Sequence, residues 1–283
     1  MVLALRSWLF FFAFTMLTNT PDLSSPLELC ATARAAAVLA GEILRDGFSQ
    51  VKVISTKGGV HNLVTQFDVA SENAIIEHIR AQYPGASFLA EESGGSEAPS
   101  GLRWIIDPLD GTVNFAHGVP LFCVSIAAEV DGIVQAGVVY QPLLDEMFTA
   151  VRGHGAWCND VPIAVSAQSR LEESFIVTGF PYNVDENAPG TLEYFSRFVH
   201  MGVPVRRLGS AAIDLAYVAC GRFDAFWESA LKPWDVAAGM LLVHEAGGKV
   251  TQYSGHDFDL RSQTILATNS SIHDSFVEFL AKV

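Results

Sequence analysis

Positive charge is scarce in this chain. Its 283 residues carry 17 Lys and Arg against 31 Asp and Glu, a formal charge of −14. That balance argues against nucleic acid or an anionic membrane as the main partner, because both would be repelled. Cysteine is sparse too. The four are Cys30, Cys123, Cys158 and Cys220, and no two form a C-x-x-C pair. This spacing excludes a zinc ribbon and a disulfide-dense scaffold, and predicts reduced, mostly buried thiols. Long apolar runs are missing. The strongest candidate, Trp8-Leu9-Phe10-Phe11-Phe12-Ala13-Phe14 after Arg6, is too short to span a bilayer. It resembles a weak signal-peptide core, but no A-x-A cleavage site follows at the right distance. A signal, an anchor and an extended start all remain readings of residues 1–24. The expectation is a cytoplasmic protein whose leader lies outside the fold, with no stable membrane insertion.

Hydrophobic residues make up 50% of the chain and charged ones only 17%, which rules out a disordered polymer. The length suits one large domain or two fused halves, about 25–165 and 166–283, around a well-buried core. No internal repeat or low-complexity linker separates them. Ser25-Pro26-Leu27-Glu28 reads as a capping box with proline at the first helical position. An apolar helical stretch runs on to Leu44, and Gly47 is expected to end it. Lys57-Gly58-Gly59-Val60-His61 reads as a mobile glycine loop. A second helix follows Asp68, with Ile75, Ile76, Ile79 and Tyr83 on one face and Pro84-Gly85 as its stop. Ser87–Ala90 is a short strand ending at Glu91-Glu92.

From Leu102 to Ile163 strands dominate, and Asp131-Gly132 between 124–130 and 133–140 marks a hairpin. The second half alternates. Strands are expected at 175–178, 203–207, 223–227, 249–253 and 264–267, and helices at 192–199, 211–220, 236–245 and 272–280.

One stretch is over-furnished for a turn. After the apolar Trp104-Ile105-Ile106 comes Asp107-Pro108-Leu109-Asp110-Gly111-Thr112-Val113-Asn114-Phe115. An ordinary turn needs one Asp or one Gly. Other carboxylates also sit at expected element ends: Asp68, Glu91-Glu92 and Asp235. Each has a bland reading. Asp68 and Asp235 suit helix N-caps, Glu91-Glu92 a solvated strand end, and Asp107 and Asp110 an acidic turn. Together these readings weaken. Glu91, Asp107, Asp110 and Asp235 all follow apolar segments, and convergence there would make them repel and raise one another's pKa. A hard divalent cation resolves this, since Mg²⁺ prefers carboxylate, carbonyl and water oxygens. More than three carboxylates suggests two or more ions, which clamp a phosphate and activate water. Pro108 stiffens the turn and leaves the Leu109 carbonyl available. Gly111 allows close approach of a phosphate, and Thr112 can polarise a water.

The run Trp104 to Phe115 resembles the signature of the inositol monophosphatase family. Trp234-Asp235-Val236-Ala237-Ala238-Gly239, continuing to Glu245-Ala246-Gly247-Gly248, resembles the family's second signature, and Ala90-Glu91-Glu92-Ser93 its metal-binding glutamate strand. The resemblance covers about residues 26 to 280. It implies an α+β or α/β fold of the sugar-phosphatase type, a layered αβαβα sandwich, usually a homodimer. It implies Mg²⁺ in two or three ions: Glu91, Asp107 and the Leu109 carbonyl for the first, Asp107, Asp110 and Asp235 for the second, and a looser third near Glu91. Thr112, bonded to Asp68, would orient the nucleophilic water, with no covalent phosphoenzyme. Lys57 matches the family's mobile-loop lysine. Gly209-Ser210-Ala211 resembles the substrate loop, while its bland reading is an N-cap serine. Glu228 matches a glutamate that binds a substrate hydroxyl. Lys232-Pro233-Trp234 looks like the bacterial branch. Arg206 and Arg207 suit either the substrate loop or a subunit contact. The implied activity is hydrolysis of a small phosphate monoester, myo-inositol 1-phosphate first, with lithium sensitivity. Fructose 1,6-bisphosphate, adenosine bisphosphate and histidinol phosphate are the alternatives within the fold. A silent scaffold is the alternative outside catalysis, and the intact carboxylates argue against it.

Overall fold

The Ser25-Pro26 start behaves only partly as its sequence predicts. In the computed structural model, which describes residues 25–56, 63–95, 101–181 and 190–282, helix α1 spans Pro26–Phe48. Ser25 is its N-cap and Pro26 its first residue, but the Ser25 hydroxyl makes no capping bond. Nor does Gly47 end the helix, which caps one residue past Phe48, at Ser49. A Cβ on Gly47 would sit 2.4 Å from the Phe67 ring, so this glycine serves a close contact rather than a stop. The predicted glycine loop with Lys57 and His61 lies outside the described residues.

Strands β1 (Ile54–Thr56) and β2 (Leu63–Thr65) form a small antiparallel pair. Helix α2 (Gln66–Gln82) follows at once. Its N-cap is Thr65, not Asp68. Asp68 instead closes a capping box from the third helical position, accepting from the Thr65 amide at 2.8 Å and the Thr65 hydroxyl at 2.6 Å. Ile75, Ile79 and Tyr83 are buried, as their helical spacing predicts.

An eight-stranded sheet carries the first half. Its strands are β3 (Ser87–Ala90), β4 (Gly94–Gly95), β5 (Leu102–Asp110), β6 (Cys123–Val130), β7 (Ile133–Gln141), β8 (Glu146–Val151), β9 (Gly155–Cys158) and β10 (Val161–Pro162). They lie in the order β10-β9-β8-β7-β6-β5-β3-β4. All pairs are antiparallel except β3 with β5. The β6–β7 hairpin turns at Asp131-Gly132, both at positive φ, as the tight-turn signal requires. The short helix α3 (Thr112–Ala116) leaves the end of β5.

The second half builds a five-stranded sheet from β11 (Ile176–Thr178), β12 (Val205–Arg206), β13 (Ala225–Ser229), β14 (Lys249–Thr251) and β15 (Thr264–Thr268), ordered β12-β11-β13-β15-β14. Among the described residues four helices accompany it: α4 (Thr191–His200), α5 (Ala211–Ala219), α6 (Pro233–Glu245) and α7 (His273–Leu280). Strand β13 starts two residues later than the apolar run predicts. Glu228 therefore lies inside it rather than just beyond its end.

Five layers share three cores, one of which fills both faces of the central helices. Trp104, Ile106, Val124 and Ile126 project from the large sheet onto α1 and α2. Ile105, Cys123 and Ala127, on the opposite face, meet α5 and α6. These two helices also cover Phe226 and Ile265 of the small sheet. Trp227 and Leu266, on its far face, pack with Phe198 of α4 and with Phe276 and Phe279 of α7. The layering is helix, sheet, helix, sheet, helix. α5 and α6 are apolar nearly all round because both of their faces are covered.

Candidate active site

Two aspartates three apart on a strand should face opposite ways, since side chains alternate. A bulge prevents this. Asp107 pairs with Ser125 and Asp110 with Cys123, so β5 spends three steps where β6 spends two. The extra residue returns both carboxylates to the face of Ile105, towards the central helices. Pro108 sits in the bulge, where its missing N–H costs no ladder bond. The Leu109 amide donates to Asp107 Oδ1 at 3.0 Å and fixes that side chain. The neighbouring parallel pair supplies Glu91. Ala90 is in register with Ile106, so Glu91 and Asp107 leave the two strands side by side, and the Glu91 amide donates to the Ile106 carbonyl at 3.1 Å.

Two central helices add the rest. Asp235 is the third residue of α6, not its N-cap. Lys232 occupies the cap, and its amide donates to Asp235 Oδ2 at 2.6 Å. Ser210 caps α5, accepting weakly from the Ile213 amide at 3.4 Å. Its hydroxyl donates to Asp110 Oδ2 at 2.6 Å, and the Ala212 amide donates to the same oxygen at 2.7 Å. The substrate-loop and N-cap readings of Ser210 are thus compatible, but its proton is directed at Asp110.

Burial and mutual repulsion govern the charges. Burial pushes the Asp107 carboxyl well above the usual carboxylate range, and the Glu91, Asp110 and Asp235 carboxylates push it further. Burial raises Asp235 in the same way, with Asp110 next in effect. Asp110 is raised to about 6 by burial, held back by the Ser210 and Ala212 bonds. Such a set is unfavourable as bare anions, and a divalent cation would relieve it. All the donors are hard oxygens, which fits Mg²⁺ better than a zinc-type N/S site. Among the described residues no three acidic, His or Cys groups form a ready-made cage. Mg²⁺ does not need one, because it keeps several waters.

Thr112 opens α3 after Gly111, whose φ of 95° is left-handed. A Cβ on Gly111 would lie 2.9 Å from the Leu121 carbonyl, so both the turn and the space require glycine. Thr112 Oγ1 sits 3.1 Å from Asp68 Oδ1 and 3.0 Å from the Leu109 carbonyl. Asp68 is buried, which raises its pKa against the lowering by its Thr65 and Thr112 bonds. The Asn114 amide group donates to the carbonyls of Leu121 (2.7 Å) and Leu208 (2.8 Å), tying this segment to the 209–211 loop.

Glu91, Asp107, Leu109, Asp110, Gly111, Thr112, Gly209 and Asp235 line one cleft of about 150 Å³. Asp68, Ser210 and Ala211 stand behind it. Glu228 does not line it. Its carboxylate lies against the Gly179 backbone, and burial raises its pKa, reinforced by Asp235 and Asp110 and opposed by Arg207. Arg206 and Arg207 are exposed, stacked over Phe175 and Phe180. His117 and His154 are exposed and away from the cleft. All four cysteines are unpaired. Residues at or near the site that the sequence does not single out include Leu63, which lines the cleft, and Asn114, Glu72 and the buried Asp214. The only sequence signal for Glu72 was its position four after Asp68, on the same helical face.

The model of the inositol monophosphatase family matches residues 26–282. The chain is 42% identical over 261 residues to the inositol-1-monophosphatase of Synechocystis, covering 92% of this chain and 90% of that one. It is 43% identical to the Nus factor SuhB of Haemophilus influenzae, over 84% of this chain and 90% of that one. The solved inositol monophosphatase of Anabaena superposes with a TM-score of 0.81 at 42% identity, covering 91% and 96%. A bulged acidic strand, a third-position helical aspartate and a threonine held by a buried carboxylate thus occur in a chain that belongs to the inositol monophosphatase family, and it is a phosphoric monoester hydrolase.

Proposed function

We propose that the protein hydrolyses a small polyol phosphate, myo-inositol 1-phosphate first, to the alcohol and inorganic phosphate in a Mg²⁺-dependent reaction. The observation that carries this is the set of carboxylates held against one another at a single cleft beside Thr112. In this reading Glu91, Asp107 and the Leu109 carbonyl would hold one ion, Asp107, Asp110 and Asp235 a second, and Glu91 would serve a looser third. When bound, the ions would offset the substrate's negative charge and lower the pKa of water, so that it gives up a proton and becomes nucleophilic enough to attack phosphorus.

The chain's own residues do the rest. Thr112 Oγ1, held by Asp68, positions the attacking water, and Glu91 accepts from it. The Gly111 and Thr112 amides face the phosphate. Ser210 and Ala212 keep Asp110 aimed at the cleft. Gly209 shapes the substrate side with Ala211 packed behind it, and Glu228, set beyond the cleft against Gly179, would accept a hydrogen bond from a hydroxyl at the far end of the alcohol. Lys57, which lies outside the described residues, would add positive charge. Among the described residues no cysteine, serine or histidine lines the cleft, which supports direct attack by water. A cytoplasmic homodimer and lithium inhibition complete the proposal.

Comparing kcat/KM on inositol 1-phosphate, fructose 1,6-bisphosphate, adenosine 3′,5′-bisphosphate and histidinol phosphate tests it. Preference for any of the last three would overturn the inositol assignment. A second reading rests on the relative named as a Nus factor: a role beside hydrolysis. It predicts that Asp107→Asn protein, inactive as a phosphatase, still rescues a deletion strain.

A further inference from the structure

Helix α2 braces two of the segments that line the cleft. Asp68, in its first turn, holds Thr112. Glu72 lies four residues on, so both carboxylates project from one face. Glu72 is 3% exposed. Its Oε2 accepts from the Glu92 amide and its Oε1 from the Ser93 amide, both at 2.8 Å. Those two amides follow Glu91 directly, at the turn where β3 ends. On the other side the Glu91 amide is held by Ile106. The backbone at Glu91 is therefore clamped from both flanks, by a sheet bond before it and a bidentate carboxylate after it.

A buried glutamate spent on two loop amides is not needed for helix stability. Glu72 lies in the helix interior, well past the first turn where acidic residues favour a helix. Nor does it answer a nearby cation in an ion pair, since none with Glu72 occurs among the described residues. Its two bonds instead hold one peptide turn at a set distance from α2. Because α2 also holds Thr112, the helix fixes the spacing between the Glu91 carboxylate and the Thr112 hydroxyl.

We propose that Glu72 is a positioning residue: by clamping the Glu92 and Ser93 amides it sets the Glu91 carboxylate as a cation donor in register with Thr112. This rests on the metal-site reading above. It predicts a selective defect. Glu72→Gln keeps the size but offers one acceptor oxygen and an NH₂ that faces an amide N–H. One clamp bond is lost and the turn is released. Partners that orient a metal ligand typically contribute tenfold to a hundredfold in affinity.

The test is Mn²⁺ binding to the full chain, read from the free-ion electron paramagnetic resonance signal, with thermal unfolding and far-UV circular dichroism alongside. Glu72→Gln, Glu72→Asp, Glu91→Gln and the double variant Glu72→Gln/Glu91→Gln are compared with wild type. The expected result is that Glu72→Gln folds and loses at least tenfold in affinity at the Glu91-dependent site. The double variant should bind no more weakly than Glu91→Gln alone, because the clamp acts only through Glu91. Glu72→Asp retains the charge but is one methylene short, and should fall between. Wild-type Mn²⁺ binding in Glu72→Gln, with a clear loss in Glu91→Gln, overturns the clamp and leaves the metal site standing. Unchanged binding in Glu91→Gln removes both. Unfolding of both Glu72 variants reduces Glu72 to a stability role and also overturns the proposal.

Discussion

Asp107 is buried beside three other carboxylates, and its Oδ1 is pinned by the Leu109 amide. Replacing it by Asn keeps that bond and removes a charge. We expect Asp107→Asn to lose turnover on the order of a thousandfold, with the metal-free protein melting no lower than wild type, because a repelled buried anion is gone. Steady-state rates and calorimetry check this. Thr112→Ala should reduce kcat by about a hundredfold while the Mg²⁺ concentration for half-activity moves little. The opposite pattern would make Thr112 structural.

The titration has a definite sign. Asp107, Asp110 and Asp235 are raised in the folded chain, Asp110 from 3.8 to about 6. Over that interval the folded protein binds protons that the unfolded chain has released, so stability falls as pH rises. This cluster's contribution is present below the ordinary carboxylate range and is lost as pH rises through the folded values. The metal-stripped protein should therefore gain Tm from this cluster when taken from about pH 8 to about pH 5, and saturating Mg²⁺ should flatten the trend. A pH dependence of the metal-free Tm left unchanged by Asp107→Asn would contradict it.

At the scale of elements, the site depends on how closely α6 approaches the large sheet. Gly137 of β7 lies under that helix, and a Cβ there would meet the Ala238 carbonyl oxygen at 2.9 Å and its Cα at 3.0 Å. Both are backbone atoms, so no side chain can swing aside. Gly137→Val should push α6 outward, lowering stability by about 1–3 kcal/mol. Because α6 carries Asp235, Mg²⁺ affinity should weaken as well. Denaturant unfolding and cation titration measure the two effects. Normal affinity with reduced stability would show that Asp235 does not need α6 seated at this contact. The same logic explains why the Gly47 reading failed. The glycine meets Phe67 across a helix pair, a reason invisible to local turn signals.

For the whole molecule, the charge of −14 opposes an anionic substrate, and the cleft is itself acidic. Divalent cations should therefore act on stability as well as on activity. Any ion that binds the folded chain alone stabilises it, by about 2.7 kcal/mol at a hundredfold excess over Kd. Mg²⁺ should raise Tm in a concentration-dependent way and chelation should reverse it, whereas the same ionic strength as NaCl should not. Equal shifts from both salts would reduce the effect to screening of the net charge.

Much of this protein was legible from its order of residues. The strand at Ser87–Ala90, the hairpin at Asp131-Gly132 and the helix-strand alternation of the second half are local, written in periodicity and turn residues. The acidic run 107–112 and its distant partners Glu91 and Asp235 were legible as chemistry, because so many carboxylates after apolar segments need a common cause. What only the tertiary structure decided was geometry between elements. The bulge that turns Asp107 and Asp110 to one face depends on pairing with β6. The choice of Thr65 and Lys232 over Asp68 and Asp235 as N-caps depends on hydrogen bonds that local composition allows either way. The roles of Glu72 and Asn114 depend on backbone groups brought near by packing, and such groups carry no mark in the sequence. Residue types set what the cleft can bind. Long-range contacts set which atoms meet there.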